Sequence, residues 1–233
     1  RGGVRRQGLL PDFAADVLSG LGMGGAPRDT ASRRLLELLL AFEEVGEADP
    51  EVDSLIDELV ALQAPFSLQR FGEGLWCSRY TRGAETPRWL RNARLFRVQE
   101  NIVGQKYDVT ERRVLNYAEI WRQGLLLTAQ GTFEDVDSTV RTCPKDFDVL
   151  ISGGQIRLGG FTVSLPVQGK GFLRVLYSDE NVRILLNPKA SPDNWEQAGL
   201  VVVQIPARLV VQQQEQRGST LFSTTTTWVE PDF

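Results

Sequence analysis

Few side chains in this sequence could do covalent or acid–base chemistry. Histidine is absent from all 233 residues, which removes Ser-His and Cys-His dyads, histidine zinc sites and imidazole proton shuttles together. Ser152, in Ser152-Gly153-Gly154, has only lysines to activate it, and Lys106, Lys145, Lys170 and Lys189 stand at no recognisable motif spacing. Asp135 and Asp137, with Asp146 and Asp148, offer carboxylates to a cation. Neither pair has EF-hand spacing, and alternate carboxylates also mark solvated strand faces. Cys77 and Cys143 form no CxxC pair; their number allows a disulfide without implying one, and two buried thiols is the plainer reading. Gly20-Leu21-Gly22-Met23-Gly24-Gly25 spells GxGxxG. It follows a predicted helix, not a strand, and no βαβ unit surrounds it, so it reads as a linker. The expectation is a protein that is not an enzyme, with no catalytic residue and no metal.

What remains is recognition by rings and arginines. Gly74-Leu75-Trp76 opens the region of strand-like alternation. A glycine there lets the chain bend, and the tryptophan can plug one end of a barrel. A late-strand arginine, Arg183 or Arg174, would stack on it, because a guanidinium is planar and weakly hydrated. Ala129 and Gly131 leave room between Leu127 and Phe133, either for a ligand or for a neighbouring aromatic. Arg82, Arg88, Trp89, Arg91 and Arg94 surround one tryptophan with cations. That composition suits an interface anchor or an anionic lipid surface, or else a solvated loop. Asp179 is expected to satisfy turn amides and Arg183 to close the barrel.

The elements that must position these residues follow from periodicity. Net charge is −4 and the pI about 5.1, which argues against a nucleic-acid partner. No apolar run spans a bilayer, the longest being Leu35–Phe42, broken by Glu37. Residues 1–28 read as a flexible arm, basic and Gly-rich at Arg1–Arg6, as in a transit-peptide remnant or a plain tail. Residues 29–66 read as a helical hairpin. Its first helix is capped by Asp29 or Thr30 and runs to about Val45. Asp49 caps the second, with Val52, Leu55, Ile56 and Leu59 on its apolar face. Residues 70–211 alternate with period two. Strands are predicted near Gly74–Tyr80, Phe96–Ile102, 106–120, 125–133, 146–151, 155–165, 172–178, Val182–Leu186 and Val201–Ile205, with a tight turn at Ser178–Asn181. Residues 212–233 read as a polar tail. The fold class is mainly β, an antiparallel lipocalin-like barrel with an N-terminal helical pair.

Two stretches carry a resemblance. Glu73-Gly74-Leu75-Trp76-Cys77-Ser78-Arg79-Tyr80-Thr81 resembles the G-x-W-x-L-x-Y-T opening of the plastid-lipid-associated proteins, the plastid fibrillins. Phe172–Ile184 resembles that family's closing Y-x-D-E-D-[LI]-R-[IV] signature, with Asn181 in place of the second acidic residue of the turn. Leu35–Glu43, Phe96–Ile102 and Thr132–Val136 stand in the family's order. The likeness covers residues 30–205 and describes a divergent member, with an algal source as the expectation. It implies a lipocalin-like barrel in the chloroplast, at thylakoid, plastoglobule or stroma, with a prenylquinone, carotenoid or galactolipid as bound lipid or isoprenoid ligand.

The first functional expectation is therefore an apolar-ligand carrier. Trp76, Tyr80, Phe96, Val98, Leu127, Phe133 and Val175 are expected to line its pocket, with Arg183 as a polar head-group partner. The alternative is an assembly subunit whose interface, Arg82, Arg88, Trp89, Arg91 and Arg94, docks onto a thylakoid photosynthetic protein complex without a bound lipid.

Overall fold

Proline opens the first two helices. Pro27 begins α1 (Pro27–Ala41), with Asp29 in its first turn beside the positive helix end. Pro50 begins α2 (Pro50–Ala61), where Asp49 Oδ1 accepts the backbone N–H groups of Glu51 at 2.8 Å and Val52 at 3.4 Å. That cap is the one expected from sequence. Arg34 Nε ties the helices together by donating to Glu51 Oε1 at 2.7 Å. The computed structural model describes residues 27–42, 49–94, 101–121, 124–187, 199–216, 228 and 230–233. The expectations for residues 1–26, and for Phe96 and Val98, lie outside the described residues.

Nine strands follow: β1 (Leu75–Arg82), β2 (Ile102–Asp108), β3 (Arg113–Ile120), β4 (Leu125–Asp135), β5 (Lys145–Leu158), β6 (Phe161–Leu165), β7 (Gly169–Ser178), β8 (Arg183–Asn187) and β9 (Leu200–Pro206). All pairings are antiparallel. Every strand except β6 belongs to a closed ring, because β4 also pairs with β5 and β1 pairs with β9. The antiparallel barrel with its N-terminal helical pair is borne out. Closure removes exposed strand edges. β5 is long enough to serve two neighbours: Lys145–Ile151 pairs with β7, and Gly154–Leu158 pairs with β6. β6 therefore carries the β5 wall past the point where the ring ends.

Some boundaries differ from expectation. The segment 106–120 holds parts of two strands, separated by a turn in which Asp108 Oδ1 accepts from Thr110 N and Glu111 N. β5 runs straight through Gly153-Gly154, and the turn comes later, at Gly159-Gly160, where Gly159 has φ +56. Three short or late helices were not read from sequence: α3 (Leu68–Phe71), α4 (Thr86–Asn92) and α5 (Ala207–Gln216). α5 replaces the end of the expected barrel region and the start of the expected polar tail, burying Val210, Val211 and Gln213. Of the tail itself, Trp228 donates to Glu119 Oε2 at 3.3 Å and Glu230 pairs with Lys106 at 2.9 Å.

Two hydrophobic cores result. One lies inside the lower barrel and includes Phe71, Tyr107, Phe133, Phe147 and Val175. The other lies outside it, where α1, α2 and α5 cover β1, β9, β8 and β7. Bulges assign residues between them. At β1 the register passes from Ser78↔Gln204 to Tyr80↔Val203. Arg79 is the extra residue, and Tyr80 is thereby turned onto the helix-covered face. At β7 the register skips Leu176, so Val175 faces in and Tyr177 faces the helices. Among the described residues, no helix is long and apolar enough to cross a membrane.

Candidate functional site

The lower end of the barrel is filled. Gly74, with φ +71, turns the chain into β1 and sets Trp76 inside. The Arg183 guanidinium lies 4.0 Å from the Trp76 ring centroid, 4.4 Å from that of Phe71 and 5.8 Å from that of Tyr107. Phe71 comes from α3, whose N-cap Ser67 accepts from Arg70 N at 3.3 Å. The Trp76–arginine stack expected from sequence exists, and Arg183 is the arginine that makes it. Arg174 instead turns outward and forms two 2.6 Å bonds to Asp146. Arg183 is fully buried, and none of its nitrogens has a hydrogen-bond partner. Burial pushes its pKa well below the ordinary arginine value, while the Tyr107 hydroxyl opposes that shift. The same burial pushes the Tyr107 hydroxyl up.

Above this plug lies a belt of amides. Gln204 Nε2 donates to Ser78 Oγ at 3.3 Å and to Gln105 Oε1 at 3.2 Å. Gln105 Nε2 donates to Asn116 Oδ1 at 2.8 Å, and Tyr107 OH reaches Gln105 Oε1 at 3.3 Å. The belt spans β9, β1, β2 and β3, which inward alternation along paired strands places side by side. Gln204 Oε1 is buried and has no donor.

Above the belt is an open cavity of about 450 Å³. Its walls include Val103, Ala118, Leu127, Ala129, Leu185 and Val202, and Leu165 and Val167 form one side of the mouth. Trp89 of α4 hangs over that mouth. The small residues expected to make room do so at Ala129. Gly131 has another cause: a Cβ there would meet Leu150 O at 2.0 Å, so it is needed where the β4–β5 register shifts.

The sequence-predicted pocket residues therefore separate. Leu127 lines the cavity. Trp76, Phe133, Val175 and Arg183 belong to the plug beneath it; Phe133 packs edge-on against Tyr107 at 5.3 Å and Phe147 at 5.6 Å. Tyr80 is outside the barrel altogether, where its hydroxyl donates to Asp53 Oδ1 at 2.9 Å and burial with that carboxylate pushes its pKa up to about 12. Of the expected interface, Arg82 is clamped to the α2 carboxylates Asp53 at 3.4 Å and Asp57 at 2.5 Å, and so serves the fold. Trp89 turns to the cavity, while Arg88, Arg91 and Arg94 are exposed. The polar belt was missed. Its one sequence signal was the parity of Trp76, which carries to Ser78 and, through the register, to Gln204.

Other candidates resolve as structure. Asp135 bonds Lys145 at 2.8 Å and Arg112 at 2.9 Å; burial alone would raise its pKa, but these cations hold it below the ordinary carboxylate value. No cluster of metal-ligating side chains exists among the described residues. Cys77 and Cys143 are both buried and are not joined in a disulfide. Asp179 does what the turn requires, accepting from Asn181 N and Val182 N at 2.8 and 2.9 Å. Fold and cavity together define a closed antiparallel barrel, plugged below and open above. No protein-family model, curated protein or solved structure matches this chain.

Proposed function

We propose that this chain is a non-catalytic binder that encloses one end of an apolar molecule, a lipid or isoprenoid, in the upper barrel. The observation that carries the reading is the roughly 450 Å³ cavity, walled by aliphatic side chains and floored by the amide belt. Ligand pockets commonly occupy about 300–1,000 Å³ and combine apolar walls with a few polar groups that fix orientation. Each buried methylene contributes about 0.8 kcal/mol, so an apolar chain binds without many hydrogen bonds. The partnerless Gln204 Oε1 favours a head that donates a hydrogen bond, such as a hydroxyl. A long prenyl or carotenoid chain exceeds the cavity and would leave through the mouth. Placement in the chloroplast, at thylakoid or plastoglobule, rests on the motif resemblance alone.

The test is a titration of the purified chain with a fluorescent prenylquinone analogue. Ala129→Trp fills the cavity, and we expect it to weaken binding at least about tenfold, equivalent to roughly 1.4 kcal/mol. Unchanged affinity in a folded Ala129→Trp protein overturns the site. Co-purification with a photosynthetic complex and no extractable lipid would select the assembly-subunit reading instead.

A further inference from the structure

The cavity wall does not stop at the rim. On β4, β5 and β6, register aligns Leu127, Ile156 and Val163, and likewise Leu125, Leu158 and Phe161, on one face. The face that lines the cavity at Leu127 and Leu165 thus continues outward as an apolar tongue. Phe161 is 81% exposed, Val163 58% and Leu158 57%. The opposite face of the tongue carries Gln155, Arg157, Thr162 and Ser164, so it is amphipathic. The turn between β3 and β4 stands beside it, because Gly159 N donates to Gly124 O at 3.4 Å, and Trp121 in that turn is 63% exposed. Among the described residues, five of the eight exposed large hydrophobic side chains gather at this one rim. Exposed apolar patches of this kind mark binding surfaces.

Charge identifies the occupant. The chain has 30 acidic residues against 26 basic ones. Yet the sequence has no acidic residue between Asp148 and Asp179, a stretch that contains the whole tongue together with Arg157 and Lys170. Across the mouth, α4 presents Arg88, Arg91 and the adjacent Arg94 to solvent. An apolar tongue flanked by cations, on a protein acidic overall, is complementary to a bilayer with anionic head groups.

We propose that the tongue and the arginines of α4 dock the barrel mouth onto an anionic lipid surface. The apolar side chains of the tongue enter the acyl boundary, and the arginines meet the head groups. Docking stands on the tongue and its charges alone. The corollary, that a ligand passes between bilayer and cavity along Leu158, Ile156 and Leu165, rests on the cavity reading above.

The experiment is co-sedimentation of the full chain with vesicles of phosphatidylglycerol mixed with phosphatidylcholine, and with vesicles of phosphatidylcholine alone. We expect binding to the first, weakened at ionic strength near about 0.5 M. Leu158→Ser/Phe161→Ser should lower the bound fraction at least about tenfold. Arg157→Gln should weaken binding to the anionic vesicles only. These side chains are exposed, so the variants should keep the wild-type melting temperature. They should also still bind a soluble fluorescent prenylquinone analogue, which separates docking from the cavity. No binding of the wild type to anionic vesicles overturns the proposal, as does wild-type binding by the double variant. Loss of probe binding in Ala129→Trp with vesicle binding intact supports docking as a separate property. Probe binding unaffected by Ala129→Trp would sink the cavity reading and leave docking standing.

Discussion

Arg183 sets a residue-scale problem: a buried cation with rings on two sides and no carboxylate. Stacking a desolvated guanidinium on an aromatic face gains about 2 kcal/mol. Removing an ion from water costs several kcal/mol even after relaxation, and that cost normally requires a partner charge. The second magnitude is the larger. The charge of Arg183 therefore opposes folding, and its contribution to the plug is shape, a flat group filling the slot between Trp76 and Phe71. We expect Arg183→Met, which keeps the slot filled, to raise stability by on the order of 1 kcal/mol. Arg183→Ala should lower it by about 3 kcal/mol, because a hole opens under two rings. Urea unfolding of both variants decides the matter. Equal losses in the two would mean that the charge itself is satisfied in solution.

At the element scale, β1 depends on its bulge. The extra residue, Arg79, is 1% exposed and reaches the end of α1, where Nε donates to Leu39 O at 3.3 Å and Nη2 to Phe42 O at 2.6 Å. A cation on the last carbonyls of a helix satisfies groups that have no partner within the helix and complements its dipole. We expect Arg79→Ala to cost about 2–3 kcal/mol, as for loss of charged hydrogen bonds. Amide exchange in the last turn of α1 should speed up well before the barrel opens; unchanged exchange there would refute the contact's role. The bulge also marks where sequence reading stopped. Asp49, the turn at Ser178–Asn181 and the Trp76–arginine pair were legible because each is local chemistry or a paired motif. Alternation gives a period without saying which face is inward. Ile184, Val203 and Ile205 stand on the greasier faces of β8 and β9, yet they pack with the helices, and the cavity takes Leu185, Val202 and Gln204. An external helical layer makes the outside of half the barrel its drier side. Tyr80 was misplaced because nothing in Ser78-Arg79-Tyr80 signals an inserted residue. α5 was read as the end of the barrel and the start of the tail, because the boundary expected at 211/212 fell inside the helix, between its valines and its glutamines.

At the scale of the whole molecule, the barrel is two structures sharing one set of strands. The lower half is closed all round: β5 pairs with β7, β7 with β8, and aromatic rings fill the interior. The upper half loses one side, because β5 turns from β7 to β6, and the interior there is the cavity. Cooperative units differ in opening free energy according to how many packed contacts each breaks, from near zero for fraying segments up to the global value for the core. The same strands should therefore show graded protection along their length. We expect amides of Val114, Phe133, Phe147 and Val175 to exchange only through global unfolding. Those of Val103, Ala118, Leu127 and Ile156 should exchange through a cheaper opening of the upper half. Both openings destroy the cavity, so a bound ligand should oppose each of them. At about 100 times its dissociation constant it adds roughly 2.7 kcal/mol to the bound state. That increment should appear at the upper and the lower amides alike and leave the gap between the halves unchanged. Native-state hydrogen exchange with and without a prenylquinone analogue measures both quantities. Uniform protection along β2–β5 in the ligand-free protein would mean that the barrel opens as one unit and that the plug confers no separate stability.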